Sequence, residues 1–159
     1  MLLVLLAIYL NDHLAGATAG RDLARRAASS NRASEHGRFL EDLALQVDRD
    51  RDSLLSLMRE LDVGVDHAKV LGGWAAEKLG RLKLNGRLLG YSPLSRVLEL
   101  EGLTLGVRGK LALWFALLQL QPDEPRLKKA ELQKLIGRAE TQLTELEKHR
   151  LLAAREAFA

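Results

Sequence analysis

The segment from Leu10 to Gly20 constrains this chain most, because it places polar and small residues inside a long helical pattern. Residues three and four apart share one face of a helix. On that spacing, one stripe runs through Leu6, Leu10, His13, Ala17, Gly20 and Ala24, with Tyr9 and Gly16 beside it. A mostly apolar stripe of this kind faces a core. The segment therefore predicts a helix with a histidine on its inner side.

Gly16 and Gly20 give the same helix a surface of very small residues. A glycine inside a helix costs about 1 kcal/mol relative to alanine, so we expect close packing against a neighbouring helix to offset that cost. On this interpretation, a leucine at either position destabilises the fold by overpacking.

The composition indicates one globular domain over residues 1–159, with 47% hydrophobic and 28% charged residues. Aromatic residues are only 4% and proline occurs three times, which favours helices over a β-sandwich. There is no cysteine, which agrees with a reducing compartment such as the cytoplasm. The apolar first ten residues lack a basic start and a small-residue cleavage site, so we expect neither a signal peptide nor a transmembrane segment.

The order of apolar stripes and turn signals predicts an all-α chain. Ser34, Asp66, Asp123 and the pair Ser92-Pro93 have the chemistry of helix starts. The predicted helices cover residues 2–28, 35–61, 67–84, 93–120 and 124–157. The fourth is apolar around most of its circumference, which predicts the central, most buried helix. Its densest face holds Leu94, Val97, Leu98, Leu105, Ala112, Phe115 and Ala116.

Polar residues interrupt these apolar faces at what we predict to be a common height. Asp50 and Arg51 break the stripe of the helix over 35–61. Reflection about a turn near residue 31 or 32 sets them level with Asp12 and His13. Buried polar groups must satisfy one another, so we expect a polar layer in which Asp12 or Asp50 pairs with Arg51 and His13.

The helix over 93–120 brings two further charges, Glu101 and Arg108, to its inner face. Reflection about residue 123 places Glu101 at the height of Glu145. Both predicted helix pairs therefore carry acidic or histidine residues near mid-height.

The arrangement resembles the ferritin-like superfamily. Four long helices with a long connection in the middle are typical of those bundles, and here residues 62–92 would form that connection with its own helix. The segments LNDHLAG, WAAEKLGRLKLNGR, YSPLSR and ELEGL also resemble a family of bacterial proteins to which no activity is attached. The resemblance implies an up-down bundle of four long helices with an additional crossover helix.

Ferritin-like di-iron proteins take a Glu and a Glu-x-x-His motif from each helix pair. In this chain the residues that face inward are Asp12, His13, Asp50 and Glu101, and Glu145 and His149 are spaced by four rather than three. Carboxylate and imidazole groups suit iron or manganese, so these four residues are a candidate metal site. The alternative is a structural layer of ion pairs without a cofactor, in which Arg51 and Arg108 supply the positive charge.

A basic segment provides a different candidate site. Lys78, Arg81, Lys83, Arg87 and Arg96 occur with no acidic residue between Glu77 and Glu99, and the helix start at Ser92-Pro93 lies among them. Helix N-termini attract anions, so a phosphate-bearing ligand, a nucleic acid or an anionic surface is one interpretation. The other is an ordinary basic surface. The net charge of +3 falls well short of a dedicated nucleic-acid binder.

No serine lies in a Gly-x-Ser-x-Gly elbow, and nothing else indicates nucleophilic catalysis. Glu145 with His149 is interpreted as a solvated face, and His36 and His67 receive no catalytic role. Trp74 and Trp114 are interpreted as core or subunit-interface residues. The leading hypothesis is a non-catalytic bundle that works as a homodimer or by binding a protein partner.

Overall fold

A computed structural model describes residues 2–72 and 90–159, and within these ranges the chain is all-helical. Four long helices dominate: α1 (Leu2–Ser30), α2 (Gly37–Glu60), α3 (Pro93–Leu120) and α4 (Lys129–Phe158). Residues 67–72 are also helical. The predicted helix over 67–84 therefore begins where expected, and the rest of it lies outside the described residues.

Two predicted helix starts are confirmed by their capping hydrogen bonds. The Ser92 side chain accepts from the Ser95 backbone N–H at 3.2 Å, and Ser95 Oγ accepts from the Ser92 N–H at 3.3 Å. Pro93 then takes the first helical position, where a missing N–H costs nothing. Asp66 Oδ1 likewise accepts from the backbone N–H groups of Ala68 and Lys69.

Ser34 and Asp123 do not cap helices, and these two predictions are wrong. Helix α2 begins only at Gly37, because Ser34 Oγ donates to the Asn31 carbonyl and closes a turn. Helix α4 begins only at Lys129. Leu127, which is 1% exposed, anchors the preceding turn in the core.

Side-chain contacts establish how the helices run past one another. Arg25 bonds Asp48, and Arg51 bonds Thr18, so α1 and α2 are antiparallel. The other two pairs that pack closely are also antiparallel. For α1 and α3 this follows from the Arg26–Glu99 ion pair and the approach of Leu23 to Gly102. For α3 and α4 it follows from the contacts Arg150–Glu101 and Arg96–Glu156. Helices α2 and α3 therefore point the same way, although they follow each other along the chain.

The two described ends of the connection between α2 and α3 consequently lie at opposite ends of the bundle. At one end, Asn11 near the start of α1 donates to the Gly64 carbonyl. At the other end, Asn31 just after α1 donates to the Tyr91 hydroxyl at 2.6 Å. Twenty residues of α1 separate these points, which is about 30 Å of helix.

The core lies between the four helices. All six residues predicted for the inner face of α2 are buried: Leu40, Leu43, Val47, Leu54, Met58 and Leu61. The stripe predicted for α4 is buried at Leu132, Leu135, Ile136, Ala139, Leu146 and Ala153. Trp114 is 1% exposed, which confirms it as a core residue.

Most of the predicted inner face of α3 is wrong, because only Val97 of its seven residues is buried. Leu94, Leu105 and Phe115 are exposed, whereas the buried face includes Leu100, Leu103, Val107, Leu113 and Leu117. Because the helix is apolar almost all round, its periodicity did not distinguish the core face from the outer face. Helix α3 is also long and apolar enough to cross a membrane by length and composition, with 28% of its most apolar window buried, which is weak evidence only.

Candidate functional site

Asp12 and His13 do not join a polar layer. Asp12 is exposed and its carboxylate accepts from Lys69 Nζ at 2.8 Å. His13 is partly buried, and its ring packs edge-on against Tyr9 with centroids 4.6 Å apart. Burial lowers the pKa of His13, against the charge of Asp12, which raises it. The neutral imidazole is therefore favoured at neutral pH.

Asp50 is the centre of a different polar cluster, which joins α2 to α3 and α4. Its side chain is 3% exposed. One carboxylate oxygen lies 2.6 Å from Arg138 Nε, and the other accepts from Lys110 Nζ and from Gln142 Nε2. Gln142 also accepts from Lys110 and donates to Gln46, whereas Asp50 Oδ1 and Arg138 Nε form an ion pair without hydrogen-bond geometry. Burial lowers the pKa of Lys110, and the Asp50 charge opposes that shift.

The remaining residues of the predicted layer are also apart. Arg51 Nε donates to Thr18 Oγ1 at 3.1 Å, Glu101 lies 3.7 Å from Arg150, and Arg108 is exposed. The predicted common layer is therefore wrong. The turn after α1 extends to residue 36, so Asp50 lies beside residues near Gly20, roughly seven residues or 10 Å from His13.

This displacement leaves the predicted metal ligands unassembled. Asp12, His13, Asp50 and Glu101 do not converge, because their carboxylates belong to separate ion pairs: Asp12 with Lys69, Asp50 with Lys110 and Arg138, and Glu101 with Arg150. Iron or manganese at these four residues stays a hypothesis that this geometry does not support.

The basic segment is largely outside the described residues, since Lys78, Arg81, Lys83 and Arg87 all lie between 72 and 90. Arg96 is described, and its guanidinium is already used. Its Nε donates to Asn31 Oδ1 at 2.5 Å, and its Nη1 donates to Glu156 Oε2 at 2.5 Å. Arg96 thus links the start of α3 to the ends of α1 and α4, and its guanidinium is not free to bind an anion.

The small residues of α1 and α3 line an open groove rather than a close contact. A cavity of about 420 Å³ lies between α1, α2 and α3. Its walls include five glycines: Gly16, Gly20, Gly102, Gly106 and Gly109. At four of them an added Cβ would meet no described atom within 4 Å, and at Gly102 it would meet only Leu23 Cδ2, at 3.1 Å. The close packing predicted for Gly16 and Gly20 is therefore wrong.

Polar groups mark two levels of this groove. Asp12 and His13 line it toward the start of α1, and Asp50, Arg51 and Lys110 line it further along. Trp114 also lines the cavity, and its buried Nε1 has no hydrogen-bond partner among the described residues. The rest of the lining is mostly aliphatic or glycine, which is the chemistry of a binding site for apolar groups.

The rim of the groove is also apolar. Leu105 is 71% exposed and lies one helical turn before Gly109. Ala112 lies one turn after Gly109 and is also exposed. Leu94 continues the same stripe toward the start of α3 and is 47% exposed. Leu5, 63% exposed, extends the surface on α1. The groove and its rim form a continuous apolar face, hereafter the α1–α3 face.

A histidine cluster at the other end of the bundle was missed from the sequence. His36 is fully buried, and its Nδ1 lies 2.9 Å from His149 Nδ1. The His149 ring stacks on Phe39 with centroids 4.1 Å apart, so the interpretation of His149 as a solvated residue is wrong. Burial and the nearby His36 lower the pKa of His149. No periodic signal pairs residues 113 positions apart, and only the packing of α2 against α4 does so.

Comparisons of the chain with protein-family models, with curated proteins and with solved structures give no match.

Proposed function

We propose that this chain is a non-catalytic helical bundle with ferritin-like connectivity that works by self-association through the α1–α3 face. The connectivity is supported by the helix directions, since one long return between the second and third long helices is the ferritin-like order. We also propose that the protein is located in the cytoplasm.

The observation that carries the proposal is the apolar groove, in which a Cβ added at four of the five wall glycines would meet no described atom within 4 Å. Interior glycines cost stability in both helices, so a surface that keeps five of them has a use other than the fold of one copy. A groove with an apolar rim accommodates a partner's side chains, and large exposed apolar patches mark interaction sites.

The same face offers both halves of an interface, which favours a second copy as the occupant. The groove is concave, whereas Leu105 and Leu94 do not line it and are exposed on the adjoining side of α3. A two-fold dimer requires one surface that complements itself, and two-fold dimers are the commonest oligomers.

The size of the face predicts a modest affinity. From Leu94 to Ala116 the stripe is about 33 Å long, and a width of about 15 Å gives roughly 500 Å² per copy. Two copies would bury about 1,000 Å² in total, which is the lower limit for a specific interface. We therefore expect a dimer with a dissociation constant in the micromolar range.

Sedimentation equilibrium of the full chain between about 1 and 200 µM tests the proposal. Wild type should shift from monomer to dimer, and Leu105→Glu should remain monomeric because it places a charge on the face. Leu45→Glu is the matched control, since Leu45 is 58% exposed on α2 and does not line the groove. A monomeric wild type, or equal dimerisation of Leu105→Glu, would refute self-association through this face.

A further inference from the structure

The start of α2 and the end of α4 bring together three groups that have the chemistry of metal ligands. Glu35 and His36 immediately precede α2, and Glu156 lies in the last turn of α4. Each offers one ligand atom, and these atoms lie within 4.8 Å of one another. His36 is fully buried, whereas both glutamates are exposed. The cluster thus opens to solvent on the carboxylate side.

The best-defined distance fits a tetrahedral site. His36 Nε2 lies 3.3 Å from Glu156 Oε2. Two ligands bound at about 2.0–2.1 Å with a tetrahedral angle between them are separated by roughly 3.3–3.4 Å. The pair is therefore spaced for one shared ion, and a rotation of the exposed Glu35 side chain would complete a third ligand.

The second nitrogen of His36 is held as a metal-bound histidine requires. Metal-ligating histidines donate their other ring N–H to a partner, which orients the ring. His149 Nδ1, 2.9 Å from His36 Nδ1, can accept that hydrogen bond. In the metal-free protein each ring takes the tautomer opposite to the one it has with the metal bound. His36 then donates from Nε2 to Glu156 and accepts at Nδ1 from His149.

The charge of the cluster also favours a cation. Glu35 and Glu156 bring two carboxyl groups to the cluster, and Arg96 Nη1, at 2.5 Å from Glu156 Oε2, forms an ion pair with one of them. No cation among the described residues forms an ion pair with Glu35. Beside the buried imidazole, the Glu35 carboxyl group therefore has no basic partner of its own in the described part of the chain.

We propose that Glu35, His36 and Glu156 bind one divalent first-row transition metal ion such as Zn²⁺, with water as the fourth ligand and His149 as the positioning residue. One nitrogen and two carboxylate oxygens suit such an ion. Arg96 keeps its hydrogen bond to Glu156 and offsets the second carboxylate. The ion would link the start of α2 to the end of α4, beside the contact between Arg96 and Glu156.

Titration of the full chain with Co²⁺ alone, followed by visible absorption, and with Zn²⁺ alone, followed by melting temperature, tests the site. Wild type should show saturable Co²⁺ bands at one equivalent. At a Zn²⁺ concentration near 100 times the dissociation constant, its melting temperature should rise by about 5–10 °C.

Glu35→Gln should bind Co²⁺ at least tenfold more weakly with its metal-free melting temperature unchanged, because Glu35 is exposed. Glu41→Gln is the matched control, since Glu41 is an exposed glutamate of α2 outside the cluster. His149→Phe keeps the stack on Phe39 and should weaken metal binding by about tenfold or more. A wild type without saturable binding, or a Glu35→Gln variant with unchanged affinity, would overturn the proposal.

Discussion

Alanine at Gly16 and at Gly20 should stabilise the monomer, which is the opposite of what a close-packed glycine surface predicts. Both glycines lie inside α1, and a Cβ at either would meet no described atom within 4 Å. The substitution therefore carries no steric cost and gains the helix propensity of alanine, about 0.8–1 kcal/mol per site. In a protein of this size, 1 kcal/mol raises the melting temperature by about 2–4 °C.

The assay is thermal and urea denaturation of the full chain below about 1 µM, where the proposed dimer is dissociated. Each single variant should melt about 2–4 °C above wild type. Gly37→Ala is the opposing control, because its Cβ would lie 2.7 Å from the Asn31 carbonyl oxygen and 2.9 Å from that of Arg32. That variant should be destabilised. If Gly16→Ala or Gly20→Ala lowered the melting temperature instead, the open groove would be refuted.

Two further predictions concern buried polar groups. Asp50→Asn should destabilise the fold by about 3 kcal/mol or more in urea titrations, because it leaves Lys110 and Arg138 without their shared anion. Asp48→Asn, which breaks only the more exposed pair with Arg25, should cost less than about 1 kcal/mol, and equal losses would contradict the assigned network. Because burial lowers the pKa of His13, the unfolded state binds its proton more readily, so stability should fall as the pH drops below about 6.5. His13→Gln should reduce that loss between pH 7.5 and 5.5, and an identical pH dependence would show that His13 does not contribute.

The Asp50 cluster illustrates how local and long-range information differ. The sequence correctly indicated that Asp50 interrupts an apolar stripe and needs partners, since a charge on a core face cannot stay unpaired. It did not identify them as Lys110, Arg138 and Gln142. The partners depend on the register between helices, and six residues of turn between Ser30 and Gly37 shift that register away from His13.

Local chemistry determined that the described chain forms long helices, and it set some of their ends and faces. Ser92-Pro93 defined the start of α3, and the spacing of leucines on α2 defined its buried face, because capping and periodicity act within a few residues. Only the tertiary structure decided which side of α3 faces water, because a helix that is apolar all round has no preferred face until its neighbours are in place. Packing also decided that the glycines of α1 and α3 line a groove, and that His36 meets His149. These outcomes depend on the positions of whole helices, which no short segment of the chain encodes.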